Sequence, residues 1–398
     1  MLRRRRARTG EHRLRRKRVG FMHIAVLTNE FEPAIIGGLG IVATNLAEAL
    51  RARGHTLLVI TTGSSPKISD QEHAGMRVIR FPHGSEYHSR MHQRLYAEPI
   101  LHYLRYLSDW PDIIHVHSLQ ADRLAIAMRD KCSARIIYTC HSLVSNEGLH
   151  KSSFRHMEIR QRHFMEQADM IVAPSNWLAM VLMAHRPATR DKIHVIPNGV
   201  KPHSISVLDR PRRPAQLLFA GRLIRQKGVA ETIAAVADLK NIDRNVHLDI
   251  IGNGSMKYMR ELKSQTNRLK VSGRVRFLGQ CTHHTVLQHM RDAGVVIMPS
   301  RNESFGLVAL EAMAVGTPLV STQAGGLRDF VDSDTAVVIA SPTRETISRA
   351  VAEVWANSGR TRKRQRSAFE RALRYTWKVT ASQYEAVMEG ADPSTPTQ

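Results

Sequence analysis

The chain has 398 residues, more than one hydrophobic core usually supports, so its length favours two domains. Apolar residues make up 42% of it, which excludes a disordered chain, and no apolar run approaches the roughly 18 residues of a membrane span. The formal net charge is +23, and the three cysteines form no CxxC pair, which argues against a disulfide framework and favours a reducing cytoplasm.

The segment 1–21 is strongly basic: its first 20 residues contain ten Arg or Lys and one Glu. It could be an arm that binds nucleic acid or acidic lipid, a targeting peptide, or the product of an upstream start codon. No apolar core follows it, which excludes a secretory signal. A start at Met22, just before the first strand-like run, is the simplest interpretation, and we expect residues 1–21 to be disordered.

Strands and helices alternate along the first half of the chain. A strand is predicted at residues 23–28, followed by a glycine-rich loop at 29–40 and a helix at 41–53 with apolar side chains at helical spacing. Further strands are predicted at 56–61, 113–117, 135–139 and 170–173. This alternation is typical of a parallel sheet with helices on both faces.

The alternation stops at residues 201–214, a proline- and arginine-rich stretch that we interpret as a linker. It resumes with strands at 216–220, 246–251, 275–278, 295–298 and 318–321, and a helix at 229–239. We therefore predict an α/β fold of two Rossmann-like domains, residues 22–200 and 215–375, with a helix at 376–390 and a disordered tail at 391–398. Ligands are expected in the interdomain cleft, at the carboxyl ends of the strands.

Glycines surround Gly38 in the first strand-to-helix loop. Consecutive glycines let a backbone approach a ligand, and the following helix N-terminus offers N–H groups to an anion. The spacing is not GxGxxG, so a phosphate contact at Gly38 and a plain tight turn both stay open.

Cations follow the first strand of the second half. Arg222, Arg225 and Lys227 lie between Gly221 and Gly228. Arg can grip a diphosphate with two hydrogen bonds and Lys acts as a point charge, so the loop suits that ligand. A solvated basic loop is the alternative.

Two carboxylates lie eight residues apart, Glu303 in a loop and Glu311 in the predicted helix after it. Gly306 and Leu307 open that helix, so their amides could hold a phosphate, while the carboxylates could accept hydrogen bonds from sugar hydroxyls. The alternatives are an ordinary helix-surface Glu311 and a Glu303 that stabilises the helix N-terminus.

His141 follows a predicted strand, where it could donate a hydrogen bond into the cleft or be a structural histidine. No metal ion or cofactor is predicted. The acids of Asp332-Ser333-Asp334 imitate a DxD motif but are interpreted as a surface turn, and the pairs His115/His117 and His283/His284 lack a third zinc ligand.

These motifs together resemble the retaining glycosyltransferases of the two-Rossmann GT-B type, the large bacterial family 4. That family includes glycogen synthases, sucrose-phosphate synthases and mannosyl- and N-acetylglucosaminyl-transferases. The likeness spans residues 22 to about 388 and is carried by the 303–311 segment, with Gly316-Thr317-Pro318 and Gly325-Gly326 after it. The run 196–200 resembles the family's interdomain loop, and Tyr375-Thr376-Trp377 resembles the start of its terminal helix, which crosses back to the first domain.

The resemblance implies metal-independent transfer of a hexosyl group from a nucleotide-diphosphate sugar, most simply a UDP-sugar, to a hydroxyl acceptor with retention. It implies catalytic roles for His141 and Glu303, both beside the donor sugar. Donor binding would fall to Gly38, Arg222, Lys227, Phe305, Gly306, Leu307 and Glu311, with Glu311 on the ribose and the cations on the diphosphate. Lys201 and Ser118 stand where relatives often carry acids, so the acceptor stays open: a saccharide, a lipid-linked saccharide or a small molecule.

Two other classes of function compete with this interpretation. One is a nucleotide-sugar epimerase of the same fold, and the other is a basic protein that binds nucleic acid or membrane. No recognition helix or aromatic-basic interleaving is evident, so no specific nucleic acid is expected. Residues 89–110 mix basic and apolar side chains; they could give peripheral contact with the inner face of the membrane or form an ordinary amphipathic helix on the sheet.

Overall fold

The computed structural model describes residues 20–391 except 85, 87, 90–93, 108 and 148–151. The predictions of disorder for the basic segment and the tail therefore fall almost entirely outside the described residues. Within these limits the chain forms two large sheets, each covered by helices on both faces, as the alternation of strands and helices predicts.

The first sheet has eight strands in the order β10-β9-β8-β7-β1-β2-β4-β3. The strands of the first half, including the separate two-stranded ribbon of β5 and β6, are β1 His23–Leu27, β2 Thr56–Gly63, β3 Ser69–His73, β4 Met76–Pro82, β5 His88–Ser89, β6 Arg94–Leu95, β7 Ile113–Val116, β8 Arg135–Thr139, β9 Met170–Ala173 and β10 Ile193–Val195. The helices are α1 Gly38–Ala52, α2 Ala97–Leu104, α3 Asp122–Cys132, α4 Ser152–Gln167 and α5 Asn176–His185.

The predicted parallel sheet has one antiparallel edge. Strands β3 and β4 pair antiparallel, because Ala74 and Gly75, with φ of 48° and 74°, make a tight two-residue turn between them. The single amphipathic helix considered for residues 89–110 is also shorter than that span. Among the described residues of that span only α2 is helical, and it buries Ile100 and Leu104 against the sheet.

The second sheet has six strands, all paired in parallel, in the order β13-β12-β11-β14-β15-β16. They are β11 Arg213–Ala220, β12 His247–Ile251, β13 Val275–Gly279, β14 Ala293–Met298, β15 Leu319–Ser321 and β16 Val337–Val338. The helices of this half are α6 Val229–Leu239, α7 Met256–Arg268, α8 His283–Asp292, α9 Leu307–Ala314, α10 Arg344–Ala356, α11 Ser358–Ala372 and α12 Trp377–Glu389.

Each sheet has a point where the direction of winding reverses. In the first sheet it lies between β1 and β7, and in the second between β11 and β14. Open parallel sheets bind ligands at such points, in the crevice beyond the carboxyl ends of the strands. The loops after β11 and β14 therefore stand side by side where a ligand is expected.

The last helix, α12, crosses back to the first sheet. It buries Trp377, Tyr384 and Val387 in the core that contains Ile24 and Leu46. This confirms the predicted two-domain fold with a returning terminal helix, while the exact domain limits stay a prediction. Among the described residues, no helix combines the length and apolar character needed to cross a bilayer.

Candidate active site

The loops after β11 and β14 meet through a close ion pair. Lys227 Nζ lies 2.5 Å from Glu303 Oε1, and Ser300 Oγ donates to the same oxygen at 2.8 Å. Both side chains are largely buried, with 17% of Lys227 and 11% of Glu303 exposed. The sequence predicts that these residues serve different parts of a donor, and the structure brings them into contact at the reversal point of the second sheet.

Gly228 allows the two loops to approach so closely. Its φ is 73°, and a Cβ atom there would lie 2.5 Å from the carbonyl oxygen of Pro299. A side chain would therefore strain the backbone and push the β14 loop away from Lys227.

The three cations of the β11 loop have different surroundings. Arg225 is 77% exposed, donates to Glu261 at 2.6 Å and stacks over the Tyr258 ring, so it belongs to the solvated surface. Arg222 is exposed two residues beyond the end of β11, on the carboxyl side of the sheet. Lys227 and Arg222 are thus the cations placed at the strand end.

Two helix N-termini converge across the cleft. Helix α9 begins at Leu307 with Gly306 as its N-cap, and the Cβ position of Gly38, the first residue of α1, lies 4.0 Å from Leu307 Cδ2. The first-turn amides of a helix have no partner within that helix, and its dipole places positive charge there. This facing pair of N-termini suits a phosphate group.

Side chains that the sequence did not single out hold these loops in place. Glu30 Oε2 accepts hydrogen bonds from the amides of Ile36 and Gly37, each at 2.9 Å, and so shapes the loop before α1. Ser175, the N-cap of α5, donates to the carbonyl of Ser304 at 2.6 Å. This second contact joins the first half of the chain to the loop that carries Glu303.

Phe305 contributes no side chain to the cleft. Its ring is buried and packs against Phe330, with ring centroids 5.1 Å apart. Only its backbone can face a ligand, which agrees with the backbone role that the resemblance implies.

Glu311 is not a helix-surface residue, because only 3% of it is exposed. Its Oε1 lies 2.7 Å from His283 Nε2, at the start of α8. Burial lowers the pKa of His283, but the hydrogen bond and the negative charge of Glu311 outweigh it, so that the pKa is raised overall. Lys201 and Asn45 line the same narrow pocket between the two halves. The sequence pattern indicated His283 only as a potential metal ligand, and its pairing with Glu311 was not predicted.

His141 lies beyond the end of β8, where its Nε2 is 3.1 Å from His117 Nδ1. Burial lowers the pKa of His141 to about 4, so its imidazole is neutral at pH 7. Within the described part of the chain, no hydrogen bond joins His141 to Glu303. Six of the predicted site residues thus lie in four pairs: Lys227 with Glu303, Gly38 facing Leu307, Glu311 with His283, and His141 with His117.

Two Rossmann-like halves that share a cleft, with a terminal helix crossing back, define the GT-B class of protein. The model of the family described as Glycosyltransferase Family 4 matches residues 36–204, and that of Glycosyl transferases group 1 matches residues 201–371. A glycogen synthase from Mycobacterium tuberculosis is 30% identical over 388 residues, which cover 91% of this chain and 93% of that protein. The chain therefore belongs to the family 4 glycosyltransferases and is an enzyme that transfers sugar.

Solved structures show the same fold at lower sequence identity. The sucrose-phosphate synthase of Thermosynechococcus elongatus aligns with a TM-score of 0.75 at 22% identity, covering 92% of this chain and 98% of that one. The Anabaena protein HepE, solved in complex with UDP and glucose, aligns with a TM-score of 0.71 at 20% identity, covering 93% and 99%.

Proposed function

We propose that this enzyme moves a hexosyl group from a nucleoside-diphosphate sugar, most simply a UDP-sugar, to a hydroxyl acceptor with retention and without a metal ion. The observation that carries the proposal is the Lys227–Glu303 ion pair beside the N-terminus of α9. A cation, a carboxylate and a helix N-terminus converge there, which matches the diphosphate and the sugar of such a donor.

The cations account for the departure of the nucleotide. When the bond between the anomeric carbon and the phosphate oxygen breaks, negative charge grows on the diphosphate. Lys227, Arg222 and the first amides of α9 are fixed donors that stabilise this charge in the transition state. The leaving phosphate oxygen can take the proton of the acceptor hydroxyl on the same face of the sugar, so the new bond forms with retention.

The carboxylates take separate parts of the donor in this proposal. Glu303, next to Lys227, accepts hydrogen bonds from the sugar hydroxyls and stabilises the positive charge that develops on the ring. Glu311, buried and oriented by His283, accepts hydrogen bonds from the ribose. His141, at the end of β8, lies beside the sugar in this arrangement.

The protein's own positive charge at the proposed diphosphate site supports the proposal of metal independence. In the Asp332-Ser333-Asp334 triplet, which imitates a DxD motif, Asp332 already has other partners. It accepts hydrogen bonds from Arg371 at 2.6 Å and from the Asp334 amide at 3.0 Å. Among the described residues, Glu32, Glu48 and His73 bring one potential ligand atom each within 4.8 Å of the others. Lys201 Nζ lies 3.8 Å from Glu48 and offsets part of that negative charge.

The choice of UDP is supported by HepE, which was solved with UDP. The acceptor remains a saccharide, a lipid-linked saccharide or a small molecule. Peripheral membrane contact is a separate prediction, which cosedimentation with acidic vesicles would test.

The experiment is a donor screen in EDTA. UDP-, ADP- and GDP-sugars are incubated with saccharide and lipid-linked acceptors, nucleotide release is measured, and the product anomer is read by proton NMR. We expect release of UDP and a product with the anomeric configuration of the donor. An inverted product, or activity abolished by EDTA and restored by a divalent ion, would contradict the proposal. Isomerised donor formed without acceptor would support an epimerase instead.

A further inference from the structure

Four rings, those of Tyr384, His115, His117 and His141, form a column that ends at His141. His115 lies in β7 and His117 follows it directly, so their side chains are on the same face of the sheet. They are 0% and 3% exposed, and their ring centroids are 4.2 Å apart. Tyr384 of α12 packs against His115 at 5.1 Å, and His141 stacks on His117 at 5.3 Å with an interplanar angle of 22°. Because the rings are packed on both sides, His117 has little freedom to turn.

In each of the two buried histidines of the column, His115 and His117, one ring nitrogen is hydrogen-bonded and the other has no partner among the described residues. His117 Nδ1 and His141 Nε2 are 3.1 Å apart, and His115 Nε2 lies 2.8 Å from Thr139 Oγ1, which in turn contacts the hydroxyl of Tyr384 at 2.8 Å. His117 Nε2 is buried and has no hydrogen-bond partner among the described residues. His141 is partly exposed, and among the described residues its ring hydrogen-bonds only through Nε2, so Nδ1 is left for another partner.

One proton must occupy the His117–His141 hydrogen bond, and its position decides both tautomers. If His141 donated, then His117 would carry its own proton on Nε2, which would leave a buried N–H group without an acceptor. If His117 donates, its Nε2 is a bare acceptor. Buried N–H groups without a partner are rarer than under-satisfied acceptors, so the second arrangement is favoured. A doubly protonated ring is disfavoured as well, because burial lowers the pKa of both histidines.

We propose that His117 is a positioning residue that fixes His141 as its Nδ1–H tautomer, so that His141 presents a hydrogen-bond donor to the cleft. His141 then recognises an acceptor atom, such as a sugar oxygen, and does not serve as the base that takes the proton of the acceptor hydroxyl. The identity of that atom rests on the proposed function, whereas the placement of the proton does not.

The test uses the full-length protein with 15N-labelled histidine, without substrate. Long-range 1H–15N NMR reports which ring nitrogen carries the proton, and the His141→Gln spectrum assigns the His141 signals. We expect His141 to be protonated at Nδ1 and bare at Nε2. A His141 signal protonated at Nε2 overturns the proposal, and since no sugar is present, this result does not depend on the reaction.

Three variants separate positioning from packing. His117→Leu removes the donor, so His141 should show averaged signals of both tautomers and kcat should fall about tenfold, as for one lost hydrogen bond. His117→Asn places an amide N–H near the former Nδ1 and should restore the tautomer and most of kcat. His115→Leu, a buried change on the same strand face, is the matched control and should leave the His141 tautomer unchanged.

The pattern across the variants decides the outcome. Equal changes of the His141 signals in His115→Leu and His117→Leu would show a general packing effect and overturn the proposal. If His117→Leu does not fold, the wild-type spectrum and His117→Asn still decide it, because loss of the Nδ1–H tautomer in the asparagine variant would contradict the assigned donor.

Discussion

Lys227 and Glu303 are 76 residues apart in the chain, yet their charged groups lie 2.5 Å from each other. They meet because β11 and β14 are neighbouring strands at the reversal point of the second sheet, so the loops that follow these strands share one edge. The positive charge of Lys227 and the negative charge of Glu303 therefore partly neutralise each other. A bound diphosphate would compete with Glu303 for the ammonium group, which makes the pair a sensitive point for substitution.

We expect Lys227→Ala and Arg222→Ala each to reduce kcat/KM for the donor by roughly two to three orders of magnitude, because each removes a fixed donor to the developing phosphate charge. Steady-state kinetics at saturating acceptor measure the effect. Arg225→Ala is the matched control from the same loop; it faces Glu261 and solvent, so it should stay within about threefold of wild type. Wild-type rates for both Lys227→Ala and Arg222→Ala would show that this loop does not bind the diphosphate.

Glu303→Gln should lower kcat more than Glu311→Gln does. A contact with the reacting sugar strengthens as positive charge develops, whereas a contact with the ribose is the same in the ground and transition states. Loss of the Glu311 charge should therefore appear mainly as a higher KM for the donor. Gln keeps the shape of each side chain, and the donor is varied at saturating acceptor.

The Glu311 variant needs its own control, because it also loses the hydrogen bond to His283. His283→Gln tests that partner alone and should raise the donor KM less than Glu311→Gln. A larger fall in kcat for Glu311→Gln than for Glu303→Gln would mean that the two roles are wrongly assigned.

His283 should make folding stability depend on pH. Although burial lowers its pKa, Glu311 raises it above 6.5 overall, with Lys201 opposing and Glu32 assisting. A raised folded-state pKa stabilises the fold below the unfolded value, and that contribution is lost as the pH rises through the folded pKa. The difference in Tm between wild type and His283→Gln should therefore be larger at about pH 6 than at about pH 9. A difference that grows with pH would contradict the pairing.

Gly228→Ala should destabilise the protein by about 1–3 kcal/mol, because it combines a positive φ with a clash against the Pro299 carbonyl. Gly273→Ala is the matched control, since a Cβ there meets nothing within 4 Å. Chemical denaturation measures both variants. Equal stability of the two would show that the β11 and β14 loops do not need their close approach.

Local pattern predicts much of this fold. The strands β8 and β9 and the helix α6 have the predicted bounds, because continuous apolar runs and helical spacing mark them clearly. The edge strand β3 was missed because its residues are polar and mostly exposed, so it has no apolar signature. The paired glutamates were placed correctly, one in a loop and one in a helix, and their segment carries the resemblance to the family that the relatives show.

The partners of the site residues could not be predicted in the same way. His283 and Glu311 are 28 residues apart, and His117 and His141 are 24 apart. Such pairs depend on which strands become neighbours, and residue spacing along the chain does not specify that. Glu30 and Ser175 were missed because they bind backbone atoms, Glu30 within its own loop and Ser175 in the loop that carries Glu303, and such contacts leave no pattern in the sequence.

We propose that the carboxyl edge of the second sheet binds a nucleoside diphosphate through Lys227 without a metal ion. Calorimetric titration of UDP in EDTA, into wild type, Lys227→Ala and Arg225→Ala, tests it most directly. We expect wild type and Arg225→Ala to bind UDP equally, and Lys227→Ala to bind roughly 10- to 100-fold more weakly, as for a lost charge-assisted hydrogen bond. Unchanged affinity in Lys227→Ala, or no binding of UDP, ADP or GDP by the wild type in EDTA, would contradict the claim.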